Sequence, residues 1–263
     1  MEKISDHGEL IDLEALLTIA LQAAEEGSRA ILEVYHSGDF HTETKGDQSP
    51  LTLADKNAHQ KIASILEPTG LPLLSEEGKD VPYLERKNWN YFWMVDPLDG
   101  TKEFIKRNGE FTVNIALIHK NTPVLGVVGV PVTHETYYAA KGYGAYVRKE
   151  GKDSKLGPRA AVDLRQEGLR VVASRSHLNG ETESFIQNLR HPSLVSTGSS
   201  LKFMLIASGK ADVYPRYAPT MEWDTAAAHA IVNETGGNVL QSGSADPLVY
   251  NKEDLLNPHF LAI

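Results

Sequence analysis

Cysteine is absent from the 263 residues. That excludes disulfides and thiolate metal sites, so any bound metal must be held by oxygen or imidazole. A chain without thiols also suits the cytoplasm. Basic charge is scarce: 26 Lys and Arg stand against 35 Asp and Glu, a net charge of −9. A general nucleic-acid binder needs a basic face to neutralise phosphates, so no nucleic-acid partner is expected. A small phosphorylated ligand stays open, because a metal held by surplus carboxylates reverses the local sign. Long apolar runs are missing as well. The most apolar early stretch, "ALLTIALQAA", is too short to span a bilayer and ends at Glu25-Glu26. The acidic start, "MEKISDHGELIDLEALL", has no charged-then-apolar signal pattern. The expectation is a soluble cytoplasmic protein with no transmembrane segment. Peripheral attachment to the cytoplasmic face of the inner membrane is left open.

What is present is clear periodicity. Leu13, Leu16, Leu17, Ala20, Leu21, Ala24, Ile31 and Tyr35 fall near helical spacing, which predicts a long amphipathic helix over 12–37 with Gly38 as its stop. After a polar loop, "HTETKGDQSP", Thr52 reads as an N-cap. Asp55 stands at the third helical position, Ala58, Ile62 and Leu66 share one face, and Gly70 ends the helix. "LPLL" is a short apolar run that stops at "SEEG". From 91 to 148 the pattern is β-rich. Phe111, Val113, Ile115 and Leu117 alternate with Thr112, Asn114, Ala116 and Ile118, and "VLGVVGVPV", "ETYYAA" and "GAYVRK" read as further antiparallel strands. A polar stretch over 149–168 suggests a boundary between an N-terminal α+β domain, 1–158, and a C-terminal α/β domain, 159–263. Beyond it strands and helices alternate, as an α/β layer arrangement requires.

Chemistry gathers where elements end. Glu76-Glu77 follow "LPLL", Asp96 and Asp99 follow "YFWMV", and Asp224 stands at a helix start. Alone, D-P-x-D-G is an ordinary turn, E-E is solvated surface and W-D is a cap. Together, in loops at strand ends, they lie where α/β sheets place ligands. Carboxylates gathered there repel one another, so something cationic must hold them, and hard oxygen donors point to magnesium or a similar ion. In "DPLDGT", Pro97 biases Asp96 to extended backbone, and the turn lets Asp96, the Leu98 carbonyl and Asp99 converge. Gly100 permits close approach by a ligand. If "GTKEF" opens a helix, the Gly100 and Thr101 amides suit a phosphate oxygen, and the Thr101 hydroxyl can orient a water.

The ordered set "EE", "DPLDGT", "WDTAA" and "GG" resembles the lithium-sensitive, magnesium-dependent phosphomonoesterases related to inositol monophosphatase. "GDQSPLTLAD", "ASRSHLN", "STGSSLKF" and "YPRYAPTMEWDTAA" look most like the bacterial 3′(2′),5′-bisphosphate nucleotidase branch of that family. The resemblance implies an α/β fold, the layered α-β-α-β-α sandwich of the inositol monophosphatase and fructose-1,6-bisphosphatase type. It implies two or three Mg2+ ions, with Li+ inhibitory. Glu76, Asp96, the Leu98 carbonyl, Asp99 and Asp224 match the metal positions, Asp96 bridging two ions. Asp55 matches a partner of the Thr101 hydroxyl, and that pair with Glu76 positions the attacking water. Asp47 matches an acid near the nucleophile. Glu77 fits the surroundings of the site or a weaker third ion. One departure is Ala228, where this branch has glycine.

The substrate face is expected from the C-terminal half: Ser174, Arg175 and His177 after a strand, Ser199, Ser200 and Lys202 at a helix start, and Arg216 after another strand. Serines at a helix start plus Lys and Arg suit a second phosphate and a ribose. Glu76, Leu98, Asp99, Gly100, Thr101 and Asp224 would meet the scissile phosphate. Tyr214 and Tyr217 are read as packing residues. The expected activity is removal of the 3′-phosphate from 3′-phosphoadenosine 5′-phosphate, with the 5′-phosphosulfate analogue as a further substrate, in a monomer or homodimer. An inositol monophosphatase or sugar bisphosphatase, and a non-catalytic nucleotide sensor, are the alternatives.

Overall fold

The computed structural model describes residues 4–6, 9–38, 40, 43–44, 50–173 and 179–263. A short hairpin, β1 (Ile4–Asp6) and β2 (Glu9–Ile11), leads into α1 (Leu13–Ser37). Asp12 caps α1 by accepting from the Glu14 and Ala15 amides, both at 3.1 Å, and Gly38 closes it with φ 77°. Two-residue strands β3 (Glu43–Thr44) and β4 (Pro50–Leu51) precede α2 (Leu53–Leu66). A single 3-10 turn, Glu67–Thr69, follows α2 before Gly70.

Next come β5 (Leu73–Ser75), α3 (Tyr83–Arg86), β6 (Tyr91–Asp99), α4 (Thr101–Ile105), β7 (Thr112–His119), β8 (Thr122–Val130), β9 (Glu135–Ala140), β10 (Gly144–Lys149) and β11 (Lys152–Lys155). They make a seven-stranded sheet in the order β11-β10-β9-β8-β7-β6-β5. Every neighbouring pair is antiparallel except β5 with β6, which is parallel. β11 replaces part of the polar connection expected after 149. Its four residues are polar and exposed, so no alternation marks them.

The β7 alternation does not separate an inner face from a wet one, because both faces are buried. Trp93, Val95, Ile115 and Val127 pack towards α1 and α2. Phe92, Met94, Ala116 and Val128 pack the other way, against the C-terminal half.

That half runs β12 (Arg170–Val172), α5 (Gly180–Gln187), β13 (Ser193–Val195), α6 (Leu201–Ala207), β14 (Tyr214–Arg216), α7 (Glu222–Glu234), β15 (Val239–Gln241) and β16 (Phe260–Ala262). β12 and β13 pair in parallel, and β14-β16-β15 form an antiparallel set. A bridge between Val171 and Val213 joins the two. α7 lies across β6 to β9 and touches α6 and β15, which places α6 and α7 between the two sheets. The layers match the expected sandwich. Gly126 on β8 makes the contact tight: a Cβ there would sit 2.0 Å from the Ala227 carbonyl oxygen. Glycine on the strand therefore supplies the close approach to α7, at the residue before Ala228. Among the described residues no helix is long and apolar enough to cross a membrane.

Candidate metal centre

β6 brings its acids to the end of the strand, where only Asp99 is partly exposed. Asp96 is 1% exposed and pairs across the sheet with Asn114. The register then shifts through Pro97 and Leu98, and Asp99 falls opposite Thr112. Asp96 Oδ1 accepts from the Leu98 amide at 3.0 Å, which tightens the turn. Gly100 follows with φ 92°, and α4 starts at Thr101. A Cβ at Gly100 would lie 3.2 Å from the Glu110 carbonyl and 3.3 Å from Ser199 Cβ, so glycine serves both the turn and the close approach.

Three distant segments meet there. Asp224, third residue of α7, accepts from the Met221 amide at 2.8 Å and so turns inward. One carboxylate oxygen each from Asp96, Asp99 and Asp224 lies within 4.8 Å of the others. Parallel pairing sets Ser75 beside Val95, and the Glu76 amide donates to the Val95 carbonyl at 3.1 Å, which delivers Glu76 next to Asp96. Burial pushes the Asp96 carboxyl well above the usual range. Glu76, Asp99 and Asp224 add repulsion, and a hydrogen bond to Glu76 favours the protonated form. Asp224 is raised too, by burial and then by Asp99. Buried acids that oppose one another's ionisation fit a hard divalent cation, for which they would exchange their protons. The charge of Glu77, next along the chain, partly offsets the burial that lowers His59, whose Nδ1 is 3.0 Å from Ser75 Oγ.

At the rim stands the expected pair. Asp55 is buried, its Oδ2 held by the Thr52 amide at 2.7 Å and hydroxyl at 2.6 Å, while Oδ1 accepts from Thr101 Oγ1 at 3.2 Å. The Leu98 carbonyl lies 3.4 Å from the same hydroxyl. With its hydrogen directed to these acceptors, Thr101 Oγ1 offers lone pairs, so it can take a hydrogen bond from a water.

A cleft of about 180 Å3 opens beside the acids, lined by Asp99, Gly100, Glu103, Ser199, Lys202, Arg216, Thr220 and Asp224 among others. Lys202 is 8% exposed and donates to the Ser199 carbonyl at 3.2 Å. Arg216 donates to the carbonyls of Ala218 and Pro219, both at 3.1 Å. Ser199 and Ser200 are turned to the acids: the Ser199 hydroxyl and Ser200 amide donate to Asp99 Oδ2 at 2.6 and 2.7 Å. Tyr214 and Tyr217 pack as expected, Tyr214 against Phe203 and Phe260, Tyr217 against Phe185 and His259. Asp47, Ser174, Arg175 and His177 lie outside the described residues.

Sequence reasoning passed over Thr112 and Asn114, which stand behind Asp99 and are buried. The available signal was two polar residues inside an otherwise apolar strand that follows the acidic turn.

Comparison with known proteins agrees with this layout. The model of the inositol monophosphatase family matches residues 12–260. The 3′(2′),5′-bisphosphate nucleotidase CysQ of Escherichia coli K12 is 44% identical over 251 residues, 93% of this chain and 98% of that protein. The Haemophilus influenzae protein of the same name is 36% identical, covering 95% and 92%. The crystal structure of CysQ from Bacteroides thetaiotaomicron superposes with a TM-score of 0.84 at 48% identity, covering 94% of this chain and 96% of that one. Inositol monophosphatase-II from Staphylococcus aureus shares the fold, with a TM-score of 0.75 at 23% identity over 94% of this chain and 88% of that one. Acids, layers and sequence agree: the chain belongs to the inositol monophosphatase family.

Proposed function

We propose that this phosphatase is magnesium-dependent and hydrolyses the 3′-phosphate of 3′-phosphoadenosine 5′-phosphate to AMP and inorganic phosphate, accepting the 5′-phosphosulfate analogue as well. Such an activity would clear a by-product of sulfate activation. The observation that carries the reading is the convergence of Asp96, Asp99 and Asp224 with the Asp55–Thr101 pair beside them. Glu76, Asp96 and the Leu98 carbonyl would hold one ion, and Asp96, Asp99 and Asp224 a second. Bound magnesium supplies charge neutralisation for the transferred group and acidifies a water. The chain's own groups do the positioning. Thr101, fixed by Asp55, accepts a hydrogen bond from the water and sets its line of approach. Lys202 and Arg216, in the cleft beside Asp99 and Asp224, suit the second phosphate of a nucleotide.

Phosphate release measured side by side on the adenosine bisphosphate and on inositol 1-phosphate, with Mg2+, tests the substrate. Preference for the nucleotide is expected, and preference for the inositol ester overturns it. Thr101→Ala is expected to lower turnover about 100-fold, the lower end of what a positioned proton-transfer group contributes. Mg2+ binding, followed by calorimetry, should stay near wild type because no carboxylate is lost. Thr101→Ser should recover most of the rate. Wild-type turnover in Thr101→Ala removes the hydroxyl from the mechanism.

A further inference from the structure

We propose that Asn114 is a positioning residue of the acid centre, holding Asp99 in place through a chain of buried hydroxyls. This rests on reading the acids as a divalent-cation site. The β6–β7 register places Asn114 directly across from Asp96 and Thr112 across from Asp99. Residues opposite one another in an antiparallel pair share a sheet face, so Asn114 and Asp96 point into the same layer. Asn114 is 1% exposed and Thr112 is 0% exposed.

From Asn114 the contacts run without a gap to the acid. Ser200 Oγ donates to Asn114 Oδ1 at 2.8 Å. Thr112 Oγ1 lies 2.8 Å from Ser200 Oγ and 2.5 Å from Ser199 Oγ. Ser199 Oγ donates to Asp99 Oδ2 at 2.6 Å. The Ser200 amide reaches the same oxygen at 2.7 Å. Both terminal bonds land on Oδ2, which leaves Oδ1 to an ion. Ser199 holds φ +52°, an uncommon backbone state for a residue with a side chain, and this network offsets its cost. Ser200 stands at the N-cap of α6 but gives its hydroxyl to Asn114 rather than to a helix amide.

The second observation is a cost that folding does not explain. Among the described residues, Asn114 Nδ2 is buried with no hydrogen-bond partner. A buried unpaired donor is unfavourable, and an apolar side chain of the same shape would avoid the penalty. An amide held there despite that cost, on the face it shares with Asp96, belongs to the site rather than to the core. Groups that orient metal-binding side chains act in this way, fixing one carboxylate oxygen so that the other is presented at a set angle.

The test uses the full chain with Mg2+ alone, titrated by calorimetry and by thermal unfolding, in wild type, Asn114→Leu and Thr112→Val. Without the cation, both variants should melt within about 4 °C of wild type, since neither leaves a new buried polar group of comparable cost. Mg2+ affinity should fall about 10- to 100-fold in Asn114→Leu, the range for groups that orient metal ligands. Thr112→Val should fall in the same direction, because it cuts the chain midway. In phosphate release, the Mg2+ concentration for half-maximal rate should rise more than the saturated rate falls. Wild-type Mg2+ affinity in both variants overturns the inference. So does a large fall in cation-free melting temperature with unchanged Mg2+ affinity, which makes Asn114 a fold residue only. If Asn114→Leu does not fold, Thr112→Val decides alone, being isosteric. A wild-type protein that shows no Mg2+ binding overturns the parent reading, and this inference with it; variants equal to a wild type that does bind overturn this inference alone.

Discussion

Asp96→Asn is expected to cut phosphate release about 1,000-fold or more while the fold survives. Glu76, Asp99 and Asp224 are all charged neighbours of Asp96, so on the proposed reading its charge would be shared by both ions. Losing metal-mediated charge stabilisation removes several kcal/mol from the transition state, and each ~1.4 kcal/mol is a factor of ten. Stability should move the opposite way. The folded Asp96 carboxyl lies well above its ordinary value of 3.8, first because it is buried and then because three acids face it. A folded pKa above the unfolded one means the native state holds the proton more tightly. That contribution is complete below the ordinary value and is lost as pH rises through the raised one. Asp224 behaves alike. In chelator, the melting temperature of wild type minus that of Asp96→Asn should therefore decline as pH rises from about 4, and the variant should equal or exceed wild type at neutral pH. Mg2+ should reverse the order. Thermal unfolding with chelator and with Mg2+, across pH, checks this alongside phosphate release. A wild type that gains on the variant with rising pH in chelator contradicts the argument, as does full turnover in Asp96→Asn.

Gly126→Ala is expected to damage stability and activity together, although residue 126 lies on β8, which carries none of the acids. The added Cβ would meet the Ala227 carbonyl oxygen at 2.0 Å, its carbon at 2.8 Å and Cα at 3.0 Å. All three are backbone atoms of α7, so no side chain can swing aside and the helix must move off the sheet. Overpacking of a core costs about 1–3 kcal/mol, and a backbone collision belongs at or beyond the upper end. For a chain of this size, about 3 kcal/mol lowers the melting temperature by about 6–12 °C. α7 also carries Asp224 in its first turn, so its displacement shifts one wall of the acid centre. A misplacement of about 1 Å is enough to cost roughly 100-fold in rate. Gly157→Ala is the control, with open space around the new methyl and no left-handed backbone. Calorimetric melting and phosphate release on both variants check this. Wild-type melting in Gly126→Ala shows that the layer spacing is not set there.

The features legible in the sequence are those decided by neighbours along the chain. The periodicity of Leu13 to Tyr35, the cap at Thr52 with Asp55 three residues on, and the stops at Gly38 and Gly70 depend on backbone geometry within a turn or two, and the fold repeats them. The acids at element ends were legible for the same reason, because "DPLDGT" and "WDTAA" mark where elements begin and end. β11 was not, since an exposed edge strand of four polar residues carries no hydrophobic signal. Thr112 and Asn114 were passed over because alternation shows two faces but not that both are covered.

The sequence by itself therefore determined which residues could serve as oxygen donors, and that each would sit at the end of an element. Only the tertiary structure decided that they meet. Glu76 reaches Asp96 because β5 pairs in parallel with β6. Asp224 comes within 4.8 Å of Asp96 and Asp99 because α7 docks closely on the sheet. Asp55 reaches Thr101 across 46 residues of chain. Strand register and helix docking are settled by packing between distant segments, and no local pattern encodes a distance of that kind.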